Sequence, residues 1–153
     1  MKCLTLGCAL LFCFLSCSLS AVAQEAGYWR ASSTTSKSIT GDIALTDQKI
    51  SLNFSTYWIA QIRSLTPAEL SAAFGLDANA PGTGNLYRLN IPSDKKLLHK
   101  NTLCGGENTQ WLATYSTGRT LHLAFFSTSK MPALNPEAMT NNPDLCGVFE
   151  YQR

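Results

Sequence analysis

Apolar and polar positions alternate along most of this chain, and the alternation predicts strands. Ile39, Gly41, Ile43 and Leu45 fall on one face, with Lys37, Thr40 and Asp42 among their polar neighbours. After a turn at Thr46-Asp47-Gln48, Ile50, Leu52 and Phe54 repeat the pattern against Lys49, Ser51 and Asn53. Two runs of period two around a polar turn read as a β-hairpin. A second hairpin pairs Gln110–Tyr115 with Thr120–Phe126 across Ser116-Thr117-Gly118-Arg119. Tyr28–Ala31, anchored by Trp29, Tyr57–Arg63 and Asn85–Ile91 read as further strands, and Cys146–Tyr151 closes the chain with Phe149 and Tyr151 sharing a face. Ser32–Ser36 reads as a polar turn or a weak strand.

One helix start stands out against this pattern. Thr66 suits an N-cap, Pro67 the first helical position, and Glu69 completes a capping box, with Leu65 and Leu70 at the staple positions. The helix is expected to stop at Phe74, with Gly75 as its C-terminal cap. At about two turns it is too short to stand alone and must pack on a sheet. Residues 77–84 read as a loop, residues 95–101 as a basic connection, and Pro132, Pro136 and Pro143 punctuate a long loop with one helical turn near Glu137–Met139. Short strands joined by hairpin turns predict an all-β fold, a small antiparallel barrel or sandwich with one short helix.

The first 23 residues have a different character. A basic start at Lys2, an apolar stretch and Ala21-Val22-Ala23 have the layout of a secretory signal peptide. Residues 1–23 are therefore expected to be removed, leaving one β-rich domain over 24–153, periplasmic or extracellular, with no transmembrane segment. A lipid anchor on Cys17 is the weaker alternative, because the lipobox position three before it holds Phe14 rather than Leu. Cys3, Cys8, Cys13 and Cys17 leave with the leader, so Cys104 and Cys146 are the two that remain. In an oxidising compartment they are expected to pair. The bond would close a loop of roughly 42 residues, which the chain-entropy model values at about 4 kcal/mol.

The formal charge of +2 falls to +1 without Lys2. That balance gives no reason to expect a nucleic acid or an anionic membrane as partner. The two histidines, His99 and His122, are too few for a three-histidine zinc site, and no metal or cofactor is expected. His122 alternates with Leu121 and Leu123 and is read as an exposed surface residue. The carboxylates are scattered, and no G-x-S-x-G elbow, P-loop or HExxH motif occurs. Four residues are candidates for ligand or partner contacts: Trp111 and Tyr115, which share a strand face that would line a cavity if it pointed inward; Arg119, in the second hairpin turn; and His99, in the basic connection.

The segments Asn101-Thr102-Leu103-Cys104-Gly105, Leu145-Cys146-Gly147-Val148-Phe149-Glu150-Tyr151 and Ser38-Ile39-Thr40-Gly41-Asp42-Ile43 together resemble a group of exported bacterial β-domain proteins with no assigned activity. The resemblance implies export and the disulfide, and brings no catalytic residue. In size, β-content and single disulfide the chain is also similar to the small periplasmic inhibitors of lysozyme, but it lacks their Ser-Gly-x-x-Tyr loop. The expectation is a non-enzymatic binding domain for a small molecule or an envelope protein. The alternatives are a hydrolase inhibitor acting through Ser116–Arg119 or Lys95–Lys100, and an enzyme using His99 or His122.

Overall fold

Both expected hairpins form, and four further strands complete a cylinder around them. A computed structural model describes residues 25–153. Its strands are β1 (Gly27–Ala31), β2 (Ile43–Leu45), β3 (Lys49–Leu52), β4 (Ser55–Ser64), β5 (Asn85–Ile91), β6 (Thr109–Thr117), β7 (Thr120–Phe126) and β8 (Leu145–Gln152). Each pairs antiparallel with the next, and β8 returns to β1 through Arg30↔Gln152 and Ala31↔Tyr151. The result is a closed eight-stranded up-and-down barrel, in which the sheet has no free edge.

An eight-stranded barrel encloses a space that side chains can fill. Here they do. Trp29, Ile43, Leu45, Ile50, Leu52, Leu89, Leu112, Leu121, Leu123, Phe125, Phe149 and Tyr151 pack into one buried cluster inside it. Leu97 and Leu103, from the β5–β6 connection, join that cluster and cover one end. Cys104 and Cys146 are bonded, with their Cα atoms 4.7 Å apart, which ties this connection to the start of β8.

Three short helices interrupt the strands: α1 (Thr34–Ile39), α2 (Pro67–Phe74) and α3 (Pro136–Met139). The α2 N-terminus carries the complete capping box of Thr66 and Glu69, and Gly75 caps its end at φ 66°. Two expectations fail. Residues 34–39 are helical rather than turn or strand, because Ser33 caps the helix by accepting from Ser36 N, and Gly41 at φ 65° ends it by donating to Ser36 O. The shared face of Ile39, Gly41, Ile43 and Leu45 therefore reduces to Ile43 and Leu45. Phe54 also leaves the face of Ile50 and Leu52, because Leu52 pairs with Ser55 and Asn53-Phe54 becomes the two-residue turn between them. The expected leader, its cleavage site and Cys17 lie outside the described residues.

α1 has a structural task at the barrel seam. Beyond Ala31 the chain turns from β8, yet Ser32 N, Ser33 N and Ser36 Oγ all donate to Glu150 O. Thr40 Oγ1 and Tyr151 OH meet at 2.6 Å, both buried. The backbone of Ser32 and Ser33 and the side chains of Ser36 and Thr40 thus prolong a short strand pairing.

Candidate functional site

The outer surface of the barrel divides into a covered half and a bare half. Over β5–β7, Leu65, Leu70 and Ala73 from the α2 region and Leu134 from the long β7–β8 connection pack on Leu86, Trp111, Ala113, Tyr115, Ala124 and Phe126. Trp111 and Tyr115 consequently point outward from the barrel yet are only 7% and 3% exposed. The face of β6 that points inward carries Leu112 and Thr114 instead.

Over β1–β4 the strands face solvent. Tyr28, Ala44, Ser51 and Thr56 lie in one register row across the four strands. Trp58, 67% exposed, stands opposite Lys49, whose ammonium lies 4.3 Å from the indole centroid. Tyr28 is 60% exposed, and its hydroxyl donates to Asp42 Oδ2 at 2.8 Å. Asp42 Oδ1 accepts from Ala31 N at 2.9 Å. These two bonds hold the Asp42 carboxyl below its ordinary range, and the Asp42 hydrogen bond raises the Tyr28 phenol. Tyr28 is therefore fixed in place while its ring remains open to solvent.

Phe54 completes this face. It is fully exposed, on a backbone at φ 63°, directly after Asn53 at φ 45°. Two successive positive φ values are those of the tight hairpin turn that favours Asn-Gly. Phenylalanine at the second position costs about 1–2 kcal/mol in backbone energy relative to the right-handed region, and burial of its ring returns nothing. Tyr28, Phe54, Ala44 and Leu98 line an open groove of about 380 Å³ together with Asp42 and Asn53. Arg30 follows on the same face of β1. With Lys37, Arg119 and Arg153 it borders a second depression at the seam, which no acidic side chain lines.

The four residues singled out from the sequence are not gathered into a site. Trp111 and Tyr115 are covered, His99 is exposed in a short 3-10 turn over Leu98–Lys100 at φ 52°, and Arg119 lies in the β6–β7 turn with its Nε donating to Arg153 O. His122 is not the exposed residue the alternation suggested. It is half-buried, with its ring 5.6 Å from Tyr115 and 6.1 Å from Phe74, because the end of α2 folds over that part of β7. Burial lowers its pKa, against a smaller opposing effect of Glu150. Among the described residues no three His, Cys, Asp or Glu side chains cluster to hold a metal ion. Phe54 followed the alternation of Ile50 and Leu52, and Tyr28 and Trp58 looked like ordinary strand residues, so none of the three stood out. The discoverable clue was Asn53, a residue suited to a left-handed turn. No known family model, curated protein or solved structure matches the chain.

Proposed function

We propose that this chain is an exported, non-enzymatic binding domain that docks the bare β1–β4 face of its barrel onto another envelope protein. The observation that carries the reading is Phe54, a fully exposed aromatic ring held on a left-handed backbone without any burial to offset the strain. Unfavourable local conformations of this kind concentrate at sites of function. Tyr28, which lines the same groove, and Trp58, on the same face of the sheet, add further aromatic area, and Tyr, Trp and Arg are the residues that dominate protein interfaces. Arg30, Lys37 and Lys49 beside them favour a partner with an apolar centre and an acidic rim. A barrel interior filled by its own side chains favours a surface-docking protein over a carrier of an enclosed small molecule.

Photo-crosslinking from position 54, with benzoylphenylalanine replacing Phe54 in cells that export the protein, tests this. A discrete protein adduct is expected, and it should disappear when Tyr28→Ser and Trp58→Ser are added. Absence of an adduct, or one indifferent to both changes, would exclude the bare face as the docking surface.

A further inference from the structure

A different chemistry occupies the mouth of the barrel beneath the segment that enters β1. Glu25 lies there ahead of the first strand, and its carboxylate is held by three neutral donors. Asn85 Nδ2 donates to Oε1 at 3.1 Å, Thr114 Oγ1 to Oε1 at 2.8 Å, and Tyr87 OH to Oε2 at 2.9 Å. Thr114 and Tyr87 are 0% and 5% exposed. They project from the inward faces of β6 and β5, which are paired antiparallel strands.

Asn85 and Thr114 also make bonds that do not involve Glu25. The Asn85 Oδ1 accepts from Gln61 Nε2 at 2.8 Å and from Ser64 Oγ at 3.1 Å, which turns its NH2 toward the mouth. Asn85 N donates to Thr114 Oγ1 at 2.9 Å, and of the two acceptors within reach of the hydroxyl proton, Asn85 O at 3.2 Å and Glu25 Oε1 at 2.8 Å, the carboxylate is the nearer. Burial and the charge of Glu25 raise the Tyr87 phenol far above its ordinary value, so it stays a donor. Such an arrangement of fixed donors around two oxygens matches a planar monoanion.

The residue that fills it belongs to a lightly held strap. Glu25 and Ala26 precede the strand pairing, which starts at Gly27↔Leu45. Among the described residues, the strap is held, besides the Glu25 carboxylate, by Trp29 Nε1 donating to Glu25 O at 2.8 Å and Arg153 donating to Ala26 O at 3.3 Å. We propose that Asn85, Tyr87 and Thr114 form a carboxylate-binding site, that Glu25 occupies it in cis, and that a small monocarboxylate takes the same donors when the strap lifts. Because the Glu25 carboxylate is tethered, its effective concentration at the site is of millimolar order or higher. A free acid therefore competes poorly until Glu25 is withdrawn or removed. This inference stands independently of the aromatic face.

Chemical rescue of Glu25→Ala by acetate tests it. Thermal stability and the NMR shifts of the Asn85 side-chain amide are followed against sodium acetate and against sodium chloride at matched ionic strength. The variant should show a saturable, acetate-specific rise in Tm, of roughly 5 °C when acetate exceeds its dissociation constant tenfold. The Asn85 amide should move toward its position in the parent protein. Adding Thr114→Val should abolish the response. If Glu25→Ala does not fold in chloride, recovery of its circular-dichroism spectrum in acetate becomes the readout. An acetate response no larger than that of chloride, one shared equally by the parent protein and the double variant, or failure of acetate to restore an unfolded variant would each overturn the site.

Discussion

Phe54 and Gly84 show how single residues record two opposite demands on the backbone. At position 54 the backbone is left-handed and the side chain touches nothing that would justify it. Phe54→Gly should relieve about 1–2 kcal/mol of strain and return about 0.5–1 kcal/mol as added freedom of the unfolded chain. The net expectation is a protein more stable by about 0.5 kcal/mol, measured by urea denaturation, that no longer binds the partner identified by crosslinking. A fall in stability would mean that the Phe54 ring contributes to the fold and not to a surface. Gly84 is the reverse case. A Cβ there would lie 2.0 Å from Thr114 O and 2.7 Å from Leu70 Cδ2, so the chain leaving α2 can approach β6 only without a side chain. Its carbonyl accepts from Leu65 N at 2.9 Å, which anchors both ends of the α2 excursion. Gly84→Ala should cost about 3 kcal/mol or more, because backbone rather than a flexible side chain must move. Chemical denaturation would measure this, and a loss under 1 kcal/mol, roughly the usual range of a surface substitution, would contradict it.

The elements that were legible in the sequence are those whose cause is local. The α2 capping box needs only Thr66, Pro67 and Glu69, and it forms as read. The second hairpin needs only the alternation on either side of Gly118-Arg119, and its strands pair from Trp111↔Phe126 to Thr117↔Thr120. α1 was illegible because its six residues, Thr34–Ile39, contain one large apolar side chain and so show no helical stripe. What holds α1 is Ser36 reaching Glu150 O, a residue 114 positions away. The bare face was hidden for a related reason. Exposure of Tyr28 and Trp58 depends on where α2 and the β7–β8 connection settle, and alternation gives the two faces of a strand without saying which other element covers the outer one. Glu69 combines local and tertiary causes and makes a quantitative test. Besides capping α2, its carboxylate takes both Arg63 Nη atoms at 2.6 and 2.8 Å. The Arg63 bond is the main cause that lowers its pKa from 4.5 to about 2. A carboxyl more acidic in the folded chain contributes stability that is complete above pH 4.5 and is lost as pH falls toward 2. Both partners are partly exposed, so solvent screening limits the effect to about 1 kcal/mol or less. Glu69→Gln keeps an oxygen for Thr66 N but loses the ion pair. It should lower stability at pH 7 by that amount and flatten the acid limb of the stability profile. An unchanged limb would assign the acid sensitivity to other carboxylates.

At the scale of the whole barrel the disulfide decides how well one end stays shut. The β5–β6 connection is long and mostly polar, yet it places Leu97 and Leu103 in the interior cluster at 5% and 6% exposure. Leu103 directly precedes Cys104, whose partner Cys146 is the second residue of β8. The bond therefore holds a hydrophobic lid against a strand that itself depends on α1 to complete its seam with β1. Across its sequence separation of 42 residues, the chain-entropy model gives about 4 kcal/mol. For a domain of this size that corresponds to a fall in Tm of roughly 10 °C or more on reduction. The loss should not be uniform. The pairing of β6, β7 and β8 runs from Trp111↔Phe126 to Leu123↔Phe149 without help from the sulfurs, whereas the lid has little backbone pairing of its own. Hydrogen exchange on the reduced protein, or on Cys104→Ser with Cys146→Ser, should therefore accelerate first at Leu97–Leu103 and at the start of β8. The amides of β6 and β7 should keep their protection until global unfolding. Uniform acceleration across all eight strands would show that the bond restrains only the unfolded chain, and that Leu97 and Leu103 hold the barrel end closed without it.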